Sequence, residues 1–160
     1  MSNAVEISEP AALEIENWLR SLKNTVKVKN VERDPIFQKM DVDLIWTTKK
    51  DSYKIEIKAD QWHKTGNFFF ETLSNEEKKT PGCFMYTEAD LLFYYFVEMK
   101  RLYILPMPQT RKWFLSKKAK FKERATTTPV NGGYYTTVGK LVPIDLVLRE
   151  VRSVKQVQLQ

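Results

Sequence analysis

Asp43, Glu56 and Lys58 are the side chains of this chain whose types and spacing could do chemistry together. They fall in two segments, residues 41–46 and 55–60, that each alternate polar and apolar positions. This alternation is typical of a half-buried strand, so the charged side chains of each segment occupy the face opposite the apolar ones. Two carboxylates and a lysine on one face of a sheet could bind a cation and a phosphate group.

The stretch that joins these segments, residues 47–52, is short and polar, which predicts a β-hairpin. With the tip at the centre of this stretch, Asp43 lies directly opposite Glu56. A shift by one residue would send the apolar set to the wrong face, so the register is well constrained. Like charges opposed across a sheet destabilise it. A divalent cation offsets this repulsion, and Mg²⁺ prefers carboxylate oxygens and water, with Lys58 beside it to stabilise negative charge.

This order of residues resembles the core of the PD-(D/E)XK nuclease superfamily, which includes many restriction enzymes and Holliday-junction resolvases. Asp43 matches the metal-binding aspartate of the superfamily, and Glu56 and Lys58 match its Glu-x-Lys motif. The resemblance implies that the backbone carbonyl of Ile57 is a further metal ligand. Val42 stands where many members have a proline, which is frequently absent in the superfamily. The stretches that follow the hairpin resemble uncharacterised phage and bacterial members.

The resemblance also implies a fold and an activity. The fold is α/β, with an N-terminal helix followed by a catalytic hairpin in a central mixed sheet flanked by helices. The activity is that of an endo- or exonuclease that hydrolyses DNA with a magnesium-activated water, Mn²⁺ substituting for Mg²⁺. Members often carry a catalytic glutamate on the first helix, a role that Glu16 or Glu14 could fill, and Glu71 is a further alternative. Many relatives act as homodimers, so a homodimer is a further expectation.

The charge distribution indicates a nucleic-acid partner. The chain has a net charge of +6 and a pI of about 9.3, and residues 111–124 carry seven basic residues against one acid. Clustered Lys and Arg are typical of phosphate binding, although a solvated helix face would show the same composition. The predicted contacts with nucleic acid, most directly DNA, are Lys64, Asn67, Arg111, Lys112, Lys117, Lys118, Lys120, Lys122 and Arg124.

Composition and length exclude several other classes. The 160 residues predict one domain, with flexible ends at residues 1–8 and 153–160. No apolar run approaches the roughly 20 residues of a membrane span. A single cysteine, Cys83, rules out an internal disulfide and favours a cytoplasmic location with a buried, inert thiol. No phosphate-binding Gly-rich loop indicates an NTPase, and a single histidine, His63, disfavours a histidine-rich zinc site.

The remaining pattern predicts the elements around the hairpin. Apolar spacing predicts an amphipathic helix over residues 9–23, and Pro143 in a first turn predicts a last helix. Between the two helices the predictions are a first strand at 26–29, a strand or short helix at 66–73, a loop at 74–81, a helical turn at 87–90, strands at 91–97 and 101–105, and an irregular loop at 125–140.

Two other classes of function stay open on the sequence. A protein could keep this fold without turnover and act as a DNA-binding or regulatory subunit; the intact Asp43, Glu56 and Lys58 argue against it, since lost activity usually removes such residues first. A structural protein could use the sheet as a scaffold alone. It would bind neither a metal ion nor DNA in a salt-sensitive way.

Overall fold

The computed structural model describes the backbone of residues 2–160 and the side chains of residues 8–160. The predicted flexible start, residues 1–8, therefore lies partly outside the described residues. The helices are α1 (Ser2–Ser21), α2 (Pro35–Met40), α3 (Cys83–Tyr86), α4 (Gln109–Lys117) and α5 (Ile144–Glu150), with 3₁₀ turns at His63–Thr65 and Lys118–Lys120. The strands are β1 (Thr25–Asn30), β2 (Leu44–Thr48), β3 (Ser52–Asp60), β4 (Asn67–Asn75), β5 (Thr80–Pro81), β6 (Leu91–Phe96), β7 (Arg101–Pro106), β8 (Lys122–Val130), β9 (Gly133–Pro143) and β10 (Lys155–Gln158).

Six strands form a mixed central sheet in the order β1-β2-β3-β6-β7-β10. The first three strands are antiparallel, β3 and β6 are parallel, and the remaining neighbours are antiparallel. A parallel pair needs a long connection that returns the chain to the same end of the sheet. Here the connection carries β4, β5 and α3. The predicted α/β class, with a helix before a hairpin in a mixed sheet, is confirmed at this level.

A second sheet, in the order β5-β4-β9-β8, contains the segment predicted to be an irregular loop. The prediction for residues 125–140 was wrong, because β8 and β9 pair continuously from Lys122 with Leu141 to Val130 with Gly133. The threonines and tyrosines of this segment have high β propensity. The loop predicted at 74–81 is a turn between β4 and β5.

The end of the chain is ordered by pairing with the central sheet. Residues 155–158 form β10 and pair antiparallel with β7, and Leu159 is buried beyond them. Residues 155–158, within the segment 153–160 that the sequence predicts to be flexible, therefore form a strand of the central sheet. Val157 and Leu159 pack into the apolar cluster of the central sheet beside β7. The short tail has a mainly polar composition, so nothing in the sequence indicated this packing.

Apolar side chains cover both faces of the central sheet. One face packs against α1 through Ala11, Ile15 and Leu19. The other packs against the second sheet, where Phe68 and Phe70 of β4 are fully buried among aromatic residues of β6 and β7. Among the residues that the structure describes, no helix is long and apolar enough to cross a membrane.

Candidate metal centre and adjoining cleft

The hairpin of β2 and β3 has the predicted register. Leu44 pairs with Ile55 and Thr47 with Ser52, so the turn lies where the sequence places it. Because side chains alternate along a strand, Ile55 and Ile57 pack under α1. Glu56 and Lys58 therefore point to the opposite face, towards the second sheet.

The segment before β2 differs from its predicted strand. Residues 35–40 form α2, which starts with Pro35 in its first turn and with the Asp34 carboxylate accepting a hydrogen bond from the Ile36 backbone N–H. Asp41 ends this helix in the left-handed conformation, at φ 59° and ψ 50°. The strand begins only at Leu44. Pro35 and Asp34 are ordinary helix-start signals that the alternation of residues 41–46 obscured.

This helix end brings Asp41 to Glu56. Ligand atoms of Asp41, Glu56 and Cys83 all lie within 4.8 Å of one another. Asp43 is outside that group of atoms and contacts β3 in another way. Its Oδ2 accepts a hydrogen bond of 2.7 Å from the Ile57 backbone N–H, and its own N–H donates to the Ile55 carbonyl. Asp41 is thus a site residue that pairing arguments missed, and its position after a helix-start signal could have identified it.

Asp43 and Glu56 are acids in unfavourable surroundings. Burial raises the pKa of Asp43 to about 6, although the hydrogen bond from Ile57 opposes the shift. Burial, and then the neighbouring Asp41, raise the pKa of Glu56 well above its ordinary value. Glu56 is buried, with only 4% of its surface exposed. Such a carboxyl must bind a proton or a cation to be accommodated.

Two carboxylate oxygens of this cluster receive no hydrogen bond from an N–H or hydroxyl group of the described residues. They are Oδ2 of Asp41 and Oε2 of Glu56, and both are buried. A buried polar atom without a partner carries a desolvation cost that a ligand removes. Hard oxygen donors of this kind fit Mg²⁺ or Mn²⁺. The residues present are therefore suited to the cation that the sequence predicts.

Lys58 lies at the other side of the cluster, in an ion pair with Glu71. Its Nζ is 3.0 Å from Oε1 of Glu71, and the Lys58 side chain is 30% exposed. Burial alone would lower the pKa of Lys58, but the Glu71 carboxylate outweighs it and raises the pKa, so the ammonium group stays charged. Burial, followed by the charges of Glu56 and Glu71, raises the pKa of Cys83 well above its ordinary value. The Cys83 thiol is therefore protonated, as an inert thiol would be.

Of the three glutamates considered for the site, Glu71 is the one that contacts Lys58. Glu16 instead binds Arg20 and Asn30 at 3.4 Å between α1 and β1. Glu14 accepts a hydrogen bond from the Tyr95 hydroxyl on the α1 side of the sheet. The sequence predicts that Glu16 on the first helix is a catalytic carboxylate. In the structure its carboxylate forms an ion pair with Arg20, the residue four positions later on the same helix.

A cleft of about 360 Å³ opens beside Lys58 and Glu71, between the end of β3 and the second sheet. Asn67, predicted to contact nucleic acid, lines it together with Arg124. Trp62 lies on the β3 side of the cleft and is 61% exposed. The cleft thus opens Lys58 and Glu71 to solvent, and one of the predicted basic contacts, Arg124, reaches it; Asp41, Glu56 and Cys83 are not among its lining residues.

The other basic residues divide into two groups. Arg111 donates hydrogen bonds to the carbonyls of Thr87 and Phe84, and Lys117 pairs with Glu150. These two cations therefore hold parts of the fold together. Those that remain exposed or half-buried are Lys64, Lys112, Lys118, Lys120, Lys122 and Arg124. They lie on the two 3₁₀ turns, on α4 and on β8 rather than on a single helix.

Comparisons of the chain with models of protein families, with curated proteins and with solved structures give no match.

Proposed function

We propose that the protein is a metal-dependent nuclease that hydrolyses phosphodiester bonds of DNA, as the resemblance to the PD-(D/E)XK superfamily implies. The observation that carries the proposal is the pair of buried oxygens of Asp41 and Glu56 that receive no hydrogen bond from any residue that the structure describes. They lie on the same side of the sheet as a charged Lys58 at the head of an open cleft. A structural scaffold gains nothing from two buried acids this close to each other.

Asp41 and Glu56 would hold a divalent cation, with Asp43 and the Ile57 carbonyl as the further ligands that the resemblance implies. A cation bound there would neutralise the carboxylates and withdraw charge from a phosphate oxygen. The backbone N–H of Ile57 donates to Asp43, which fixes the orientation of that carboxylate. The chain thereby presents its acids to the cation from a rigid strand and a helix end.

Lys58 would stabilise the negative charge that develops on the phosphate during hydrolysis, because a fixed cation in a low-dielectric site strengthens such an interaction. Glu71 holds the Lys58 ammonium group at 3.0 Å. This ion pair keeps the lysine charged and restricts its rotamers. Glu71 is therefore a positioning residue, and its loss should lower turnover more than substrate binding.

DNA is the proposed partner because of the exposed basic residues on α4, its following 3₁₀ turn and β8. Such residues contact phosphates without reading the sequence, and the affinity of such contacts falls steeply with salt. A cytoplasmic location and a homodimer belong to the same proposal, since they follow from the single cysteine and from the family resemblance.

The proposal is tested by incubating the purified protein with supercoiled, linear, single-stranded and branched DNA in Mg²⁺, Mn²⁺ or EDTA. The parent protein should cleave in Mg²⁺ and Mn²⁺ but not in EDTA. Lys58→Gln should abolish cleavage. Lys54→Gln is the matched control, because Lys54 lies on the same strand four residues earlier and the change removes the same charge.

Two outcomes would contradict the proposal. Cleavage of equal rate by the parent and by Lys58→Gln would assign the activity to a contaminant. No cleavage of any substrate, combined with retention of DNA at low salt, would favour a DNA-binding protein without turnover. Asp41→Asn and Asp43→Asn, assayed beside them, would show which aspartate the cation requires.

A further inference from the structure

The second sheet turns a polar face towards the cleft and an apolar face towards the core. On β4, Phe68 and Phe70 are buried in the core, whereas Asn67, Phe69 and Glu71 line the cleft. The same alternation continues on the neighbouring strands. The residues of β8 and β9 that line the cleft are Arg124, Thr126, Thr128, Tyr135, Thr137 and Leu141.

The register of β8 and β9 makes this a continuous surface. Thr126 pairs with Thr137, and Thr128 pairs with Tyr135. Gly139, between them and Leu141, leaves room for the ring of Phe69, because a Cβ at Gly139 would lie 2.5 Å from that ring. The outcome is an open face with hydroxyl groups and aromatic rings.

Charge on this surface is sparse. Its cations are Lys58, which is paired with Glu71, and Arg124. Asp60 is occupied by hydrogen bonds from the Tyr94 hydroxyl and the Trp62 backbone N–H. A surface built to follow the phosphates of a duplex would carry several unpaired cations. Hydroxyls and aromatic rings instead suit the bases and sugars of an unpaired strand.

The size of the cleft leads to the same class of ligand. A volume of about 360 Å³ falls at the low end of small-molecule sites, which span about 300–1,000 Å³. A space of this size suits a single unpaired nucleotide.

We propose that the cleft binds single-stranded nucleic acid, with one unpaired nucleotide seated beside Lys58 and its base against the rings of Trp62 and Tyr135. The inference deepens the proposed nuclease function and rests on it for the class of ligand. It assigns the substrate as a single strand, an overhang or a flap. Arg124 contacts the phosphate that follows, because among the described residues of the lining it is the cation without an acidic partner.

The test is equilibrium binding measured in EDTA, where cleavage does not occur. Fluorescence anisotropy would compare labelled oligothymidylate, oligouridylate and a duplex of equal length. We expect tighter binding of the single strands than of the duplex. Trp62→Ala and Tyr135→Ala should each weaken single-strand binding about five-fold or more, the effect of losing one stacked base.

The chain offers matched controls for each variant. Tyr134→Ala removes an exposed tyrosine next to Tyr135 on the same strand, outside the cleft lining. Lys122→Gln removes the same charge as Arg124→Gln, two residues earlier on β8. The Tyr134 variant should bind like the parent, and Arg124→Gln should reduce single-strand affinity more than Lys122→Gln does.

Equal affinity for single strand and duplex, with no loss in the Trp62 and Tyr135 variants, would overturn the inference. Oligothymidylate and oligouridylate bound equally would mean that the cleft does not sense the 2′-hydroxyl, and single-strand binding would stand. Failure of the two proposals is distinguishable. Selective single-strand binding without cleavage in any metal removes the nuclease function alone, and cleavage without single-strand selectivity removes this inference alone.

Discussion

Replacing Glu56 by Gln should stabilise the metal-free protein and remove its response to metal. Glu56 is 4% exposed, and its Oε2 has no hydrogen-bond partner among the described residues. The amide of Gln keeps the volume of the side chain and carries no charge. The variant therefore tests directly whether this site holds a buried acid whose pKa is raised by folding.

The magnitude follows from the raised pKa of Glu56 in the folded state. An unfolded glutamate releases its proton near pH 4.5, whereas folded Glu56 retains it, so the folded state binds more protons and stability falls as pH rises. Each pH unit in this window costs at most about 1.36 kcal/mol. Between pH 5.5 and 7.5 the parent should lose up to about 2.7 kcal/mol relative to the variant. The raised pKa of Asp43 acts in the same direction, but it is present in both proteins and cancels.

A bound metal ion should restore the stability that the folded protein loses by burying Glu56. A cation at one hundred times its dissociation constant stabilises the folded state by about 2.7 kcal/mol. For a chain of this length that corresponds to a shift in Tm of roughly 5–11 °C. The parent should show this shift in Mn²⁺, and Glu56→Gln should show none. Asp41→Asn should reduce it, since Asp41 supplies the other unpartnered oxygen.

The assay is urea unfolding at several pH values in EDTA, together with thermal unfolding in EDTA and in Mn²⁺. Glu76→Gln is the control, because Glu76 is an exposed glutamate in the turn after β4. It should follow the parent in every condition. The reasoning is refuted if parent and Glu56→Gln lose stability in parallel as pH rises, or if Mn²⁺ stabilises both equally.

Three further predictions concern the supports of the site, each measured as a free energy of unfolding. Arg111→Ala should cost about 1.5 kcal/mol, because the guanidinium binds two backbone carbonyls, whereas exposed Lys112→Ala should cost almost nothing. Gly82→Ala should cost about 1–3 kcal/mol by overpacking and should lower cleavage, since a Cβ there would lie 2.3 Å from the Glu71 carbonyl oxygen. Leu159→Ala should cost roughly 2 kcal/mol or more, because this residue is only 6% exposed.

Each of these has a result that would contradict it. Equal costs for the Arg111 and Lys112 variants would mean that the carbonyl contacts contribute nothing. A Gly82→Ala protein with unchanged stability would show that α3 can move away from β4 freely. A Leu159→Ala protein as stable as the parent would support the prediction of a flexible chain end.

Sequence alone determined the local geometry of the site. The period-two alternation of residues 53–58 assigns Glu56 and Lys58 to one face, and the short polar turn sets the register that the structure confirms. These features depend on neighbours within a few residues, so their physical cause is visible in the sequence. The last helix near Pro143 follows from equally local signals.

The tertiary structure decided which other side chains lie beside Glu56 and Lys58. Asp41 reaches Glu56 because α2 ends in a left-handed residue, and Glu71 reaches Lys58 because β4 crosses beside β3 in the connection to β6. The cleft is lined in part by β8 and β9, and the polar composition of this segment did not indicate that it forms two paired strands. Contacts between residues distant in the chain depend on how whole sheets pack, and no short pattern of residue types encodes that packing. The sequence therefore determined a hairpin with acidic and basic side chains on one face, and only the fold determined which residues lie beside them and where the cleft opens.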